Sequence, residues 1–239
     1  MAKALIVQHD YASPSGFIGE RLVDLRFDIT EFQIVPEDSY FEPGVPVKVP
    51  SFLNFDVVVL LGAPWSVYDS AIEPWFRFER MEIETARRES IGVLGVCFGG
   101  QAIAKTFGGV VERAPHFEIG WHNVDSVDPN VVPSGEWFQF HYDRWTTPVG
   151  AKTLASSPRA LQAFQLGSLL AVQFHPEVNE GVFSSWLSAG ADVELSALGL
   201  SSDRIMEETL RKQDSAKIRA HRLVDNFLDH VVRVSDCRG

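Results

Sequence analysis

Short apolar runs recur through the first hundred residues, each stopped by turn residues, with longer stretches of helical spacing between them. Leu5 to Gln8 predicts a buried first strand, and the loop Asp10 to Gly16 leads into a helix carrying Phe17, Ile18, Leu22 and Leu25 on one face. Phe27 to Val35 alternates as a second strand does. Pro43, Pro46 and Pro50 interrupt the next stretch as a loop. The run Asp56 to Leu61 then shows no polar face, which predicts a parallel strand covered on both sides, and Gly62-Ala63-Pro64 turns the chain. Glu73 to Arg88 is helical, with Trp75, Phe76, Phe78, Met81 and Ile83 as its apolar surface, and a strand over Gly92 to Val96 follows. This alternation predicts a parallel sheet flanked by helices, with the functional site outside the carboxyl ends of the strands.

The period then changes. Val110-Val111, Ile119 to Val124, Trp137 to His141, Leu161 to Phe164 and Leu169 to Phe174 read as short strands between Pro, Gly and Ser turns. They predict a β-rich flank on a mixed, mostly parallel sheet. Beyond Glu177 the spacing is helical again, over Val182 to Ala189, Ser202 to Lys212 and Ile218 to Val232. The apolar face of Ile218, Leu223, Val224, Phe227, Leu228 and Val231 can pack on its own sheet or on a second chain. No repeat or linker appears, so residues 1–239 read as one α/β domain, with 178–239 as a helical carboxyl-terminal extension.

Composition narrows the partners. A net charge of −11 disfavours nucleic acid and anionic membrane, both of which need a basic surface, and no apolar stretch approaches spanning length. The two cysteines, Cys97 and Cys237, read as free thiols of a reducing, cytoplasmic compartment. The histidines outside the motifs below lack the spacing of a metal site, so neither metal nor cofactor is expected.

The chemistry concentrates at Cys97. It stands between a buried strand and a helix, in Gly95-Val96-Cys97-Phe98-Gly99-Gly100-Gln101, where the glycines permit a tight turn and the helix aims its free N–H groups at the sulfur. Such surroundings favour the nucleophilic thiolate. A second cluster, His175-Pro176-Glu177, ends the strand Leu169 to Phe174. Residues two apart in an extended segment share a side, so Glu177 can fix the tautomer of His175 and leave the other ring nitrogen for proton exchange with Cys97.

These two motifs, with Gly62-Ala63-Pro64-Trp65-Ser66-Val67, resemble those of the class I (triad) glutamine amidotransferase family. The chain is most similar to stand-alone relatives of the GMP synthase glutaminase domain, which also carry segments like Glu118-Ile119-Gly120-Trp121 and Leu154-Ala155-Ser156-Ser157. The resemblance implies a flavodoxin-like fold and a Cys97-His175-Glu177 triad that forms a γ-glutamyl thioester. It assigns the backbone N–H groups of Ala63 and Phe98 to the oxyanion, and Gly62, Gln101, His141, Tyr142 and Asp143 to substrate.

Two positions depart from the family pattern. Ala63 stands where a second glycine is usual, a strained substitution if that residue takes a positive φ. Tyr142 stands where His-Gly-Asp is usual, and a tyrosine there either reshapes the pocket or caps the β-rich flank. The expected activity is release of ammonia from glutamine, for use by a separate synthase or acceptor subunit, since the chain lacks a P-loop. The alternatives are hydrolysis of γ-glutamyl peptides or γ-glutamylated amines and, in another class, a non-catalytic binding or regulatory subunit.

Overall fold

The computed structural model describes residues 1–232, so Cys237 lies outside the described residues. Nine strands form one sheet: β1 (Lys3–Gln8), β2 (Asp28–Gln33), β3 (Val57–Leu60), β4 (Gly92–Val96), β5 (Val111–Ser126), β6 (Gly135–Trp145), β7 (Lys152–Ser156), β8 (Leu161–Leu166) and β9 (Leu169–Val172). Their order is β2-β1-β3-β4-β9-β8-β7-β5-β6. The first five are parallel and the remaining pairings antiparallel. The parallel half has the flavodoxin-like order, with β9 as its fifth strand. The β-rich flank is therefore a continuation of the central sheet.

Side-chain alternation explains why β1 and β3 carry no polar face. Ala4, Ile6, Val57 and Val59 pack on one side, with Phe17, Ile18 and Leu22 of α1 (Gly16–Asp24). Leu5, Val7, Val58 and Leu60 pack on the other, with Trp75, Phe76 and Ile83 of α2 (Glu73–Glu89) and Ala102 and Ile103 of α3 (Phe98–Thr106). Helices on both faces leave no side of these strands to water.

The extension departs from the expected helices in three ways. The helix expected over 182–189 is α4 (Glu180–Trp186), started by Asn179, whose Oδ1 accepts from Val182 N at 2.9 Å. A wider turn follows, broken at Gly190 with φ 113°, and an unexpected short α5 (Asp192–Ala197) comes next. The helices expected over 202–212 and 218–232 are one helix, α6 (Ser202–Asn226), because Gln213 to Lys217 contains neither glycine nor proline to interrupt it. Ala216, Ala220, Leu223, Val224 and Phe227 bury themselves on the chain's own sheet beside α1, and Ile218 alone of the expected apolar face is exposed. Arg21 clamps Asp225 of α6 with two hydrogen bonds of 2.9 and 3.0 Å.

Candidate functional site

Cys97 follows β4 with φ 50° and ψ −105°, a backbone conformation that side chains rarely adopt. The turn is held from both ends: Cys97 N donates to Val172 O at 2.8 Å, and Gln101 N to Cys97 O at 2.9 Å. The flanking glycines answer to close approach. A Cβ on Gly95 would stand 2.6 Å from Gly99 C, and one on Gly99 only 2.3 Å from Leu60 O. Helix α3 thus meets the ends of β3 and β4 backbone to backbone, and the sulfur stands above them.

His175 lies just past β9, the strand next to β4. Its N–H donates to Phe138 O of β6 at 2.8 Å, and its Nδ1 meets Glu177 Oε1 at 2.7 Å. The ring is fixed from the side by Trp186 of α4, edge-on with centroids 4.9 Å apart. With Nδ1 engaged by Glu177, His175 Nε2 is the ring nitrogen left for Cys97, whose side chain interacts with the ring. Burial works against a charge on this ring, but the charges of Glu177 and Cys97 outweigh it and take the imidazole up to about 10.

Both residues line one cavity of about 380 Å³, a size suited to a small molecule. Gly62, Ala63, Gln101, His141, Tyr142 and Asp143 line it too, whereas Glu177 stands behind His175. Phe98 turns its side chain into the core against His9, Trp75 and Phe76, so only its main chain adjoins the site. The glycine requirement falls at Gly62, where a Cβ would stand 3.0 Å from His175 Cε1 and 3.8 Å from Cys97 Cβ. Ala63 does not have a positive φ, so its methyl group carries none of the strain considered from the sequence.

The remaining predicted residues are tied into networks. Gln101 Nε2 reaches Gln173 Oε1 at 3.4 Å, and Gln173 Nε2 donates to Cys97 Sγ at 3.6 Å. Asp143 accepts from Ser66 Oγ at 2.5 Å and Tyr68 OH at 2.9 Å, joining β6 to the loop after β3. His141 Nε2 faces Glu118 Oε2 at 3.4 Å, and Glu118 also accepts from Ser157 Oγ and Gln162 Nε2, each at 3.0 Å. Burial raises the Glu118 carboxyl, but His141 and Ser157 outweigh burial and hold it below the usual range. Tyr142 carries the Arg113 guanidinium 4.7 Å above its ring and bonds Glu194, just past the wide turn of the extension. Burial, then that carboxylate, pushes its phenol well up.

Sequence reasoning missed Gln173, Trp186, Asp10 and Glu194. Gln173 was within reach of the period-two rule, because it stands two residues before His175 on the same strand exit. The others approach from distant segments and left no local signal. Among the described residues, no group of three or more His, Cys, Asp or Glu side chains is placed to hold a metal ion, and no helix is long and apolar enough to cross a membrane.

Residues 12–190 match the family model for glutamine amidotransferase class-I. A GMP synthase [glutamine-hydrolyzing] from Bacteroides fragilis is 32% identical over 188 residues, which are 74% of this chain and 34% of that protein. A GMP synthase [glutamine-hydrolyzing] subunit from Sulfolobus acidocaldarius is 36% identical over 142 residues, 55% of this chain and 72% of that one. The chain spans about a third of the length of the full GMP synthases it matches. A glutamine amidotransferase from Thermotoga maritima superposes with a TM-score of 0.83 at 24% identity, covering 95% of this chain and 98% of that one, a likeness of fold.

Proposed function

Because the chain belongs to the class I glutamine amidotransferase family, we propose that it hydrolyses the side-chain amide of glutamine through Cys97, His175 and Glu177. The Cys97 sulfur attacks the amide carbon, and the oxygen gathers negative charge opposite the N–H groups of Ala63 and Phe98. His175, protonated at neutral pH by virtue of its raised pKa, gives its Nε2 proton to the departing ammonia. It then takes a proton from water, which releases glutamate from the thioester. Glu177 keeps the ring turned so that Nε2 faces the cavity. In the same reading Gly62, Gln101, His141, Tyr142 and Asp143 hold the glutamyl group.

The observation that carries this reading is that Cys97 and His175 interact in the wall of one cavity while Glu177 engages the far ring nitrogen, Nδ1. Steady-state release of glutamate and ammonia from glutamine, measured for the wild type and Cys97→Ser, tests it. Turnover that survives the substitution overturns it. The relative from S. acidocaldarius is by name one part of a divided synthase, and by likeness the ammonia formed here passes to a separate synthase subunit in the cytoplasm.

A second reading takes a γ-glutamylated amine as substrate, with an organic cation as the leaving group. It is favoured by the outer cavity, where Tyr40, Trp65, Tyr142 and Trp186 stand near Asp10 and Glu194. Burial first, then the charges of Asp10 and Glu194, push the Tyr40 phenol up to about 12. A higher kcat/KM for γ-glutamyl amines with cationic tails than for glutamine selects this reading. The reverse order removes it.

A further inference from the structure

Directly beneath the loop after β3 lies a buried histidine–glutamate pair that the proposed chemistry leaves unused. His9 and Glu79 are both fully buried, with His9 Nε2 3.1 and 3.2 Å from the two Glu79 carboxyl oxygens. The other ring nitrogen, Nδ1, meets Gly62 O at 3.3 Å. The ring is wedged between Phe98 and Trp75, with centroids 4.7 and 5.7 Å away. A buried polar pair of this kind is an inefficient source of stability, because desolvation consumes most of the attraction. What this pair does supply is direction.

A carbonyl oxygen only accepts, so Nδ1 carries the proton of the His9–Gly62 bond. With that proton on Nδ1, Nε2 can meet Glu79 in either of two ways. A carboxylate accepts from Nε2–H and a carboxylic acid donates to bare Nε2, and in both cases Nδ1–H remains a donor. The Gly62 carbonyl and the Ala63 N–H belong to one planar peptide unit and point in opposite directions. With its oxygen held toward His9 in the core, the peptide turns the Ala63 N–H the other way. That is the side on which Gly62, Ala63 and Cys97 line the cavity.

We propose that His9, steadied by Glu79, is a positioning residue that fixes the Gly62–Ala63 peptide with its N–H aimed at the developing oxyanion. The proposal rests on the hydrolase reading above. It also accounts for an alanine at position 63: orientation comes from the His9 bond to the preceding carbonyl, so a second glycine is unnecessary.

The test separates ligands that use the oxyanion site from those that do not. Glutamate γ-semialdehyde, the aldehyde analogue of glutamine, adds the Cys97 sulfur to its carbonyl carbon, and the C=O π pair becomes an oxygen that takes up a proton. That tetrahedral oxygen needs the Ala63 donor, whereas bound glutamate does not. The double variant His9→Leu/Glu79→Leu leaves no unpaired buried charge, and its fold is checked by circular dichroism and melting. It is expected to bind the aldehyde about ten- to a hundredfold more weakly, with glutamate affinity changed by less than about threefold.

His9→Asn/Glu79→Leu returns an N–H donor near the Nδ1 position and is expected to recover most of the loss. Glu79→Gln, which retains the shape and leaves Nδ1–H in place, is expected to stay within about threefold of wild type. Equal weakening of both ligands, unchanged aldehyde affinity, or failure of asparagine to restore it overturns the proposal. Wild-type protein that binds the aldehyde no better than Cys97→Ser does overturns the hydrolase reading and this inference with it. That result is separate from any effect at His9.

Discussion

His175 and Glu177, two positions apart on the exit from β9, meet through an Nδ1 to Oε1 contact of 2.7 Å although both side chains are buried. Glu177, with Cys97, raises the imidazole against the burial that lowers it. Glu177→Gln is expected to lower kcat for glutamine by about a hundredfold or more while KM moves little, since a glutamine cannot stabilise the charged ring. Steady-state kinetics check this, and unchanged kcat would make Glu177 a structural residue.

The same contact sets a pH dependence. His175 is raised in the folded chain, so its stabilising contribution is complete below its ordinary value of 6.5 and fades as pH rises toward about 10. Thermal melts of wild type and Glu177→Gln should therefore differ most near pH 6 and converge above pH 10. An NMR titration of the His175 ring should find its midpoint falling in the variant.

Neighbouring small residues in the loop after β3 should behave in opposite ways. Gly62→Ala places a methyl group 3.0 Å from His175 Cε1, so the ring or the loop must shift, and kcat is expected to fall by about tenfold or more. Ala63→Gly relieves no positive φ and is expected to change kcat by less than about threefold. Kinetics of the pair in parallel decide the matter, and a reversed order would place the tight approach at the wrong residue.

Gly99→Ala should act on stability. Its Cβ would lie 2.3 Å from Leu60 O and 2.6 Å from Leu60 Cβ, and a backbone oxygen in a central strand has nowhere to go. Overpacking of this kind costs about 1–3 kcal/mol or more. At about 2–4 °C per kcal/mol for a chain of this size, calorimetry should find a Tm lower by roughly 2–12 °C.

The cationic-amine reading makes its own demand on Glu194, which is exposed at the cavity wall. Glu194→Gln is expected to lower kcat/KM for a cationic γ-glutamyl amine by about two- to fivefold, the worth of an exposed charge pair, and to leave glutamine untouched. Equal effects on both substrates would count against a cation subsite there.

What the sequence revealed and what it hid divide along a physical line. Cys97 and its glycines form one local turn, and His175 and Glu177 are two residues apart, so each motif was readable from spacing alone. The pairings Asp143 with Ser66, Gln101 with Gln173 and His9 with Glu79 join segments 77, 72 and 70 positions apart, and nothing local announces them. Strand β7 gives no sequence signal because Lys152 to Ser156 mixes polar and apolar residues without a period. It owes its conformation to its neighbours. The α6 helix reads as two in the sequence because its apolar residues thin out in the middle, although no breaker stands there.

The place of β9 beside β4 has a consequence in time. Val93 pairs with Leu169, and the Cys97 N–H with Val172 O, so the cysteine turn lacks one of its two anchors until chain from far downstream has inserted into the sheet. Pairings of such long range form late, after local helices and hairpins. A ribosome-bound fragment ending before β9 would hold Cys97 on an unfinished sheet edge, without His175 beside it. On the proposed reading, the Cys97 turn and its histidine come together only when the parallel half of the sheet closes.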